Sequence, residues 1–201
     1  VVDWGPLLAL LAEGEHPSRS IDENVADLSA QLASVRCGQA ALRQLDRKEG
    51  GERVSRFMGL LKERAATALR AALASRELGR EPRSFSEKLD NGAAVCVGVS
   101  TQPSGKWLID FSGTAGVQPD NYNATPAIAT SAVIYVLRLL AKVSVPLNEG
   151  FLDVVDIRIQ EGMLNPPFSD DPKQCPAVVA GNVEVSQLVV SVLLKAFALA
   201  A

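Results

Sequence analysis

The hydrophobic spacing changes period partway along this chain, and that change limits the folds open to it. Ile21, Val25, Leu28, Leu32, Val35 and Leu42 recur in alternating steps of four and three, a series broken by Gln39. Such steps lay one continuous apolar stripe along a helix. Ser20-Ile21-Asp22-Glu23 opens it with a capping-box pattern, in which the Ser20 hydroxyl accepts from the Glu23 N–H and the Glu23 carboxylate reaches back. Gly50-Gly51 stops it. A second helix is predicted from about Glu52 to Leu78, with Val54, Phe57, Met58, Leu61, Ala65, Ala68, Leu69 and Ala72 on one side and Gly79 as the C′ residue. Two long helices joined by a Gly-Gly turn predict an antiparallel hairpin, a scaffold rather than a cofactor site.

From Pro82 the period is two. Asp90-Asn91-Gly92 signals a turn, after which Val95, Val97 and Val99 alternate with Cys96, Gly98 and Ser100. Pro103-Ser104-Gly105 turns the chain again into Trp107, Ile109 and Phe111, alternating with Leu108 and Asp110. This pattern predicts a meander in which Asp110 points away from Trp107, Ile109 and Phe111. Thr125-Pro126 reads as an N-cap with proline at the first helical position, leading to Ile128, Ala132, Tyr135, Val136, Leu139 and Leu140 on a helix. A strand is expected over Leu152–Ile159, and an apolar helix from Gly181-Asn182 to the last residue. The fold class is therefore α+β: a long helical hairpin packed with a small, mainly antiparallel sheet and additional helices. Residues 1–81 form the amino-terminal segment and hairpin, and residues 82–201 the sheet-plus-helix region, together one truncated domain. The start at Val1 and the end inside a helix at Ala200-Ala201 read as a piece cut from a longer chain.

Composition narrows the function classes. With 47% apolar and 21% charged residues the chain is expected to fold. A net charge of −3 offers no pull toward phosphate backbones, so nucleic acid is not an expected partner. The basic residues between Arg36 and Arg83 are interleaved with acidic ones, as on a solvated helix pair. Arg138 and Lys195 interrupt the two most apolar runs, Pro126–Ala141 and Val183–Ala201, so both read as core helices, not membrane spans. No secretory signal is visible, and Cys37, Cys96 and Cys175 form no CxxC pair. That usage fits a reduced, soluble, cytoplasmic protein and no cysteine-built zinc site. The single histidine, His16, excludes a histidine-based metal cluster within the chain and leaves a Cys-His nucleophile little support.

Three segments carry more small polar side chains than packing requires: Asp110-Phe111-Ser112-Gly113-Thr114, Asn121-Tyr122-Asn123-Ala124 and Gly181-Asn182-Val183-Glu184-Val185-Ser186-Gln187. Each falls at a strand end or helix N-terminus, where unpaired N–H groups and the helix dipole can hold a carboxylate or phosphate. A local reading stands beside this one. Asn182 would cap its helix, Glu184 would complement the dipole, and Ser112 and Thr114 would close a turn. The chain has no GxGxxG, Walker A, HExxH or GxSxG signature. Acid–base candidates are the carboxylates Asp110, Glu149, Asp153, Asp156 and Glu184, of which the middle three read as surface residues at the ends of a strand.

At these same segments the sequence resembles the hydantoinase B/5-oxoprolinase B-subunit family. ENVADLSAQLASVRCG is similar to that family's N-x-x-D-L-x-A-Q stretch, IDFSGT to its D-F-x-G-T strand end and NYNATPAIATSAVIYVLRLL to its N-x-N-A-P segment and helix. VPLNEGFL resembles its P-L-N-x-G turn and AVVAGNVEVSQ its G-N-V-x-T-S-Q motif. The matches run in family order over roughly residues 18–199. Thr125 between Ala124 and Pro126, Val185 in place of the usual Thr, and the stretch Asp170–Pro176 depart from it.

The resemblance implies an ATP-dependent hydrolase of cyclic amides such as 5-oxoproline or a hydantoin. It also implies a hetero-oligomer with an A-type ATPase subunit or domain that binds ATP and Mg. Any divalent metal is implied to lie in family regions outside this stretch, with none held by this chain. Phosphorylating the lactam oxygen activates an otherwise poor electrophile, and the B part would bind the activated species and supply water. Asp110 and Glu184 carry over as candidate catalytic residues, and Ser112, Thr114, Asn121, Asn123, Asn148, Asn182, Ser186 and Gln187 as substrate-binding ones. A 201-residue piece alone is then expected to be inactive. Two alternatives are an ATP-dependent ketone carboxylase subunit and a non-catalytic assembly module that docks through the helical hairpin.

Overall fold

The change of period is visible in a computed structural model, which describes residues 2–13, 17–74, 82–142 and 146–199. His16, Gly79 and Ala200-Ala201 lie outside the described residues. The chain divides into two compact units, Val1–Phe57 and Met58–Ala201, with the division inside the second long helix.

The first unit holds α1 (Gly5–Ala12) and α2 (Ile21–Glu49), together with the start of α3 (Gly51–Ala74). Ser20 is the N-cap of α2 as the spacing predicts, but its hydroxyl makes no capping bond. The Ser18 hydroxyl instead accepts from the Asn24 side chain. Gly50, at φ 82°, ends α2 in a conformation that side chains other than glycine's resist. No residue of α2 is buried.

In the second unit four strands make one sheet in the order β1-β2-β3-β4: Arg83–Lys88, Ala94–Thr101, Trp107–Asp110 and Val155–Arg158. The first two pairings are antiparallel and β3–β4 is parallel, so the sheet is mixed with an antiparallel majority. Val95, Val97, Val99, Trp107 and Ile109 all face one buried layer, as two-residue alternation requires. Onto that layer packs α5 (Glu184–Ala196), against β1 and β2, and α4 (Pro126–Ala141) packs on α5. Phe197 closes the layer beneath Trp107, ring centroids 6.0 Å apart. Ala65, Ala66, Leu69 and Leu73 on the later turns of α3 join the same core. Each fully buried Val, Leu or Phe contributes about 1.5–3 kcal/mol, which is what holds two helices on so small a sheet.

Two element starts and one helix face differ from the sequence reading. The strand expected from Leu152 starts at Val155, because Glu149–Val154 is a 3₁₀ turn. The Asn148 side chain accepts from the Gly150 N–H at 2.8 Å and starts that turn. A Cβ on Gly150 would lie 2.1 Å from the Lys62 carbonyl oxygen, so only glycine allows this approach to α3. The last helix begins at Glu184, because Val179–Asn182 is a separate 3₁₀ turn. On α4 the buried side is Ala129, Ala132, Val133, Val136, Leu137 and Leu140, while Tyr135 and Leu139, expected on that face, are exposed.

Candidate functional site

The second polar segment and the chain entering the third meet at one loop, to which the first is joined through Met163. Asn123 is fully buried and makes four hydrogen bonds. Its Nδ2 donates to the carbonyls of Gln118 (2.9 Å), Asp120 (3.2 Å) and Ala177 (3.0 Å), and its Oδ1 accepts from the Gln118 N–H (2.8 Å). This amide ties the second polar segment to the chain entering the third. Directly beside it, a Cβ on Gly181 would stand 2.2 Å from the Asn123 carbonyl oxygen. The Ala180 N–H donates to the Asn121 carbonyl at 3.0 Å, completing the seam. Asn121 contributes through its backbone, and its side chain is exposed.

The first segment is fastened by different means. Thr114 Oγ1 accepts from the Cys96 N–H and donates to the Cys96 carbonyl, both at 3.1 Å, and so locks the segment to β2. Ala124 N–H donates to Met163 O, and Met163 N–H to Ala115 O, linking it onward to the second. Asp110 sits at the end of β3, on the face opposite Ile109 as predicted. Its Oδ1 accepts from both the N–H (2.9 Å) and hydroxyl (2.6 Å) of Ser112, and its Oδ2 meets the Arg158 guanidinium at 2.9 Å. Partial burial pushes the Asp110 carboxyl up. The Ser112 hydroxyl and N–H and the Arg158 charge outweigh it and hold the carboxyl below its ordinary value.

The third segment projects outward instead. Val183, not Asn182, is the N-cap of α5, and no side chain caps that helix. The exposed Asn182 amide therefore lies open on a groove between α4 and α5 of about 360 Å³. Ser186 and Gln187 share that groove with Ile128, Ser131, Ala132, Tyr135 and Val190. Ser186 also donates to Val183 O at 3.0 Å. Across the α5 N-terminus a second groove, about 370 Å³, is lined by Glu184 and Gln187 together with Glu87, Asp90 and Ser191. Gln187 stands on the ridge between the two. The Glu184 carboxylate beside the Tyr122 hydroxyl, with the negative charges of Asp90 and Asp120, raises the tyrosine above its ordinary value.

Of the ten residues singled out from sequence, Asn182, Glu184, Ser186 and Gln187 line these two grooves. Thr114 borders a smaller cleft of about 30 Å³ near Gln160 and Gly162. Asp110, Ser112, Asn121, Asn123 and Asn148 line none of the three. Asn148 is taken up by the Gly150 N–H and the carbonyls of Leu61 (3.4 Å) and Pro146 (2.9 Å). Sequence reasoning missed Tyr122, Tyr135, Ser131 and Arg158. Tyr122 was legible as a member of the Asn-Tyr-Asn run, whereas Arg158 reaches Asp110 only through the parallel β3–β4 pairing. Among the described residues no three His, Cys, Asp or Glu side chains gather as a metal site, and no helix is long and apolar enough to cross a membrane.

A mixed sheet backed by two helices, with two grooves at the mouth of one of them, defines an α+β module. The chain belongs to the hydantoinase B/oxoprolinase family, whose model matches residues 6–201. It is 36% identical over 190 residues to the 5-oxoprolinase PfmaA of Pestalotiopsis fici and 32% identical over 191 to the 5-oxoprolinase of Saccharomyces cerevisiae. Each match covers 92% of this chain but 14% of the relative, so the chain spans about one seventh of those proteins. The solved ATP-dependent caprolactamase from Pseudomonas jessenii shares the fold, with a TM-score of 0.67 at 20% identity, covering 95% of this chain and 33% of that one.

Proposed function

We propose that this chain is part of an ATP-dependent hydrolase of cyclic amides, of the 5-oxoprolinase/hydantoinase type, and that the α4–α5 groove receives the activated lactam. The observation that carries this reading is the open amide of Asn182 beside Ser186 and Gln187, on an otherwise apolar groove. An apolar wall suits a lactam's methylenes, and a few amide and hydroxyl groups suit its polar edge. ATP and Mg belong to an A-type partner subunit or domain, and ATP supplies the phosphoryl group that activates the lactam oxygen.

Within this chain, Asn182 and Gln187 orient the ring. Glu184, exposed at the first turn of α5, lines the neighbouring groove across the Gln187 ridge, and from that side it accepts a proton from the attacking water. Water adds to the ring carbon, the C–N bond breaks and the nitrogen leaves with a proton, which gives an acyl phosphate; a second water cleaves that to the carboxylate and inorganic phosphate. We assign this role to Glu184 rather than Asp110, whose oxygens already serve Ser112 and Arg158. The relatives named as 5-oxoprolinases favour the hydrolase over a ketone carboxylase.

The test is the assembled enzyme with its ATPase partner, assayed for ATP hydrolysis and ring opening with 5-oxoproline, a hydantoin and caprolactam, and for carboxylation with a ketone plus bicarbonate. Lactam-stimulated ATP hydrolysis that Glu184→Gln uncouples from ring opening, with assembly intact, supports the reading. Turnover of the ketone alone, or full ring opening by Glu184→Gln, overturns it.

A further inference from the structure

The stripe on α2 is a heptad series, with steps of four and three maintained through Ile21, Val25, Leu28, Leu32, Val35, Gln39 and Leu42. Over 29 residues the helix is about 43 Å long, enough for a two-helix coiled coil. Yet none of its residues is buried. Beside α1 the first half of the stripe (Ile21, Val25, Leu28, Leu32) is half-exposed, and farther on Val35 and Leu42 are 71% and 56% exposed.

Charge identifies what covers it. Asp22, Glu23 and Asp27 crowd the first two turns of α2, whereas in its second half Arg36, Arg43, Arg47 and Lys48 outnumber the interleaved Asp46 and Glu49. We propose that the occupant is a second copy of this chain, its α2 running antiparallel to the first. A parallel pair would set acid against acid and base against base. An antiparallel pair sets each acidic end beside the other copy's basic end and opposes the helix dipoles favourably. Alternating the two heptad positions across the seam places Val25 opposite Leu42 of the second copy and Leu32 opposite Val35. The same register brings Asp22 beside Arg43 at both ends. Asp22, Arg36 and Arg43 are all exposed and available for this.

Sedimentation velocity on the 201-residue chain tests the proposal, with Cys37→Ser as background for cross-linking. A dimer is expected, and the Val35→Lys/Leu42→Lys double variant should be monomeric with unchanged helicity and melting, since both positions are exposed. Arg43→Glu should weaken dimerisation about tenfold at low salt, and adding Asp22→Arg should restore it. Under oxidation a mixture of Leu32→Cys and Val35→Cys chains should cross-link faster than Val35→Cys alone. A monomeric parent chain, a dimer indifferent to the lysines, or faster self-cross-linking of Val35→Cys each overturns the antiparallel α2 pair.

Discussion

Asn123 and Asn182 are the same residue type, stand in adjacent polar segments, and do opposite work. The Asn123 amide is fully buried, and each of its polar atoms is occupied by backbone. Asn182 is exposed, caps nothing and borders a groove. The difference lies in what each neighbourhood offers. Around Asn123 the loop carbonyls of Gln118, Asp120 and Ala177 have no strand or helix partner, so a side-chain amide must satisfy them. Around Asn182 the α5 N-terminus faces solvent, where water can satisfy the free N–H groups, and the amide remains available for a ligand. The polar segments of this chain therefore contain two populations, one that builds the loop seam and one that the seam presents.

The comparison breaks most easily at the seam itself. Gly181→Ala drives a Cβ to 2.2 Å from the Asn123 carbonyl, against backbone that cannot move without parting the two segments. Its loss of stability should reach or pass the ~3 kcal/mol upper end of ordinary overpacking, read as a collapse of the urea midpoint. Asn123→Ala leaves three carbonyls and one N–H without their partner, and should cost about 2–3 kcal/mol by the same measurement. If either variant unfolds like the parent chain, the seam is not what holds these segments together.

Smaller effects sharpen the picture on the first segment. Thr114→Val keeps the shape but loses both bonds to Cys96, for about 1 kcal/mol. Asp110→Asn should cost less than that at neutral pH, since the carboxylate and Arg158 are partly exposed. Its pH dependence has a definite sign. The folded carboxyl titrates below its unfolded value, so its contribution is present above the unfolded value and disappears as pH falls through the folded one. Stability curves of Asp110→Asn and the parent chain should therefore converge in acid, below the ordinary aspartate range; a gap that persists there would show that the charge is not what Arg158 and Ser112 stabilise.

Period alone made the strands and helices legible, because alternation and heptad steps report which face meets a core. Val95, Val97, Val99, Trp107 and Ile109 are buried as their spacing requires. What periodicity cannot report is whether a stripe finds a partner inside the chain: α2 carries the clearest stripe and buries none of it. Nor does residue type separate the two asparagine populations, since the decisive contacts come from Ala177 and Gly181, more than fifty residues from Asn123. A separation of 48 residues likewise hid Arg158, which only the parallel register of β4 brings to Asp110. Capping was misread in the other direction. Ser20 and Asn182 have the right chemistry for capping bonds and make none; for Asn182 the reason is the Val179–Asn182 turn, which displaces the start of α5.

The smallest expected change in stability separates the two populations most cleanly. Asn182→Ala removes an exposed amide that holds nothing in the fold, so its urea midpoint should stay within about 0.5 kcal/mol of the parent chain. In the assembled enzyme the same substitution should lower kcat/KM for the lactam about tenfold or more, the loss expected when one ligand-orienting hydrogen bond goes. Asn123→Ala measured alongside should show the reverse ordering: a large loss of stability and, where enough folded enzyme survives, a KM close to the parent's. Stability and turnover falling together in both variants would mean that Asn182 belongs to the seam, and that the groove beside it is a by-product of packing α4 on α5.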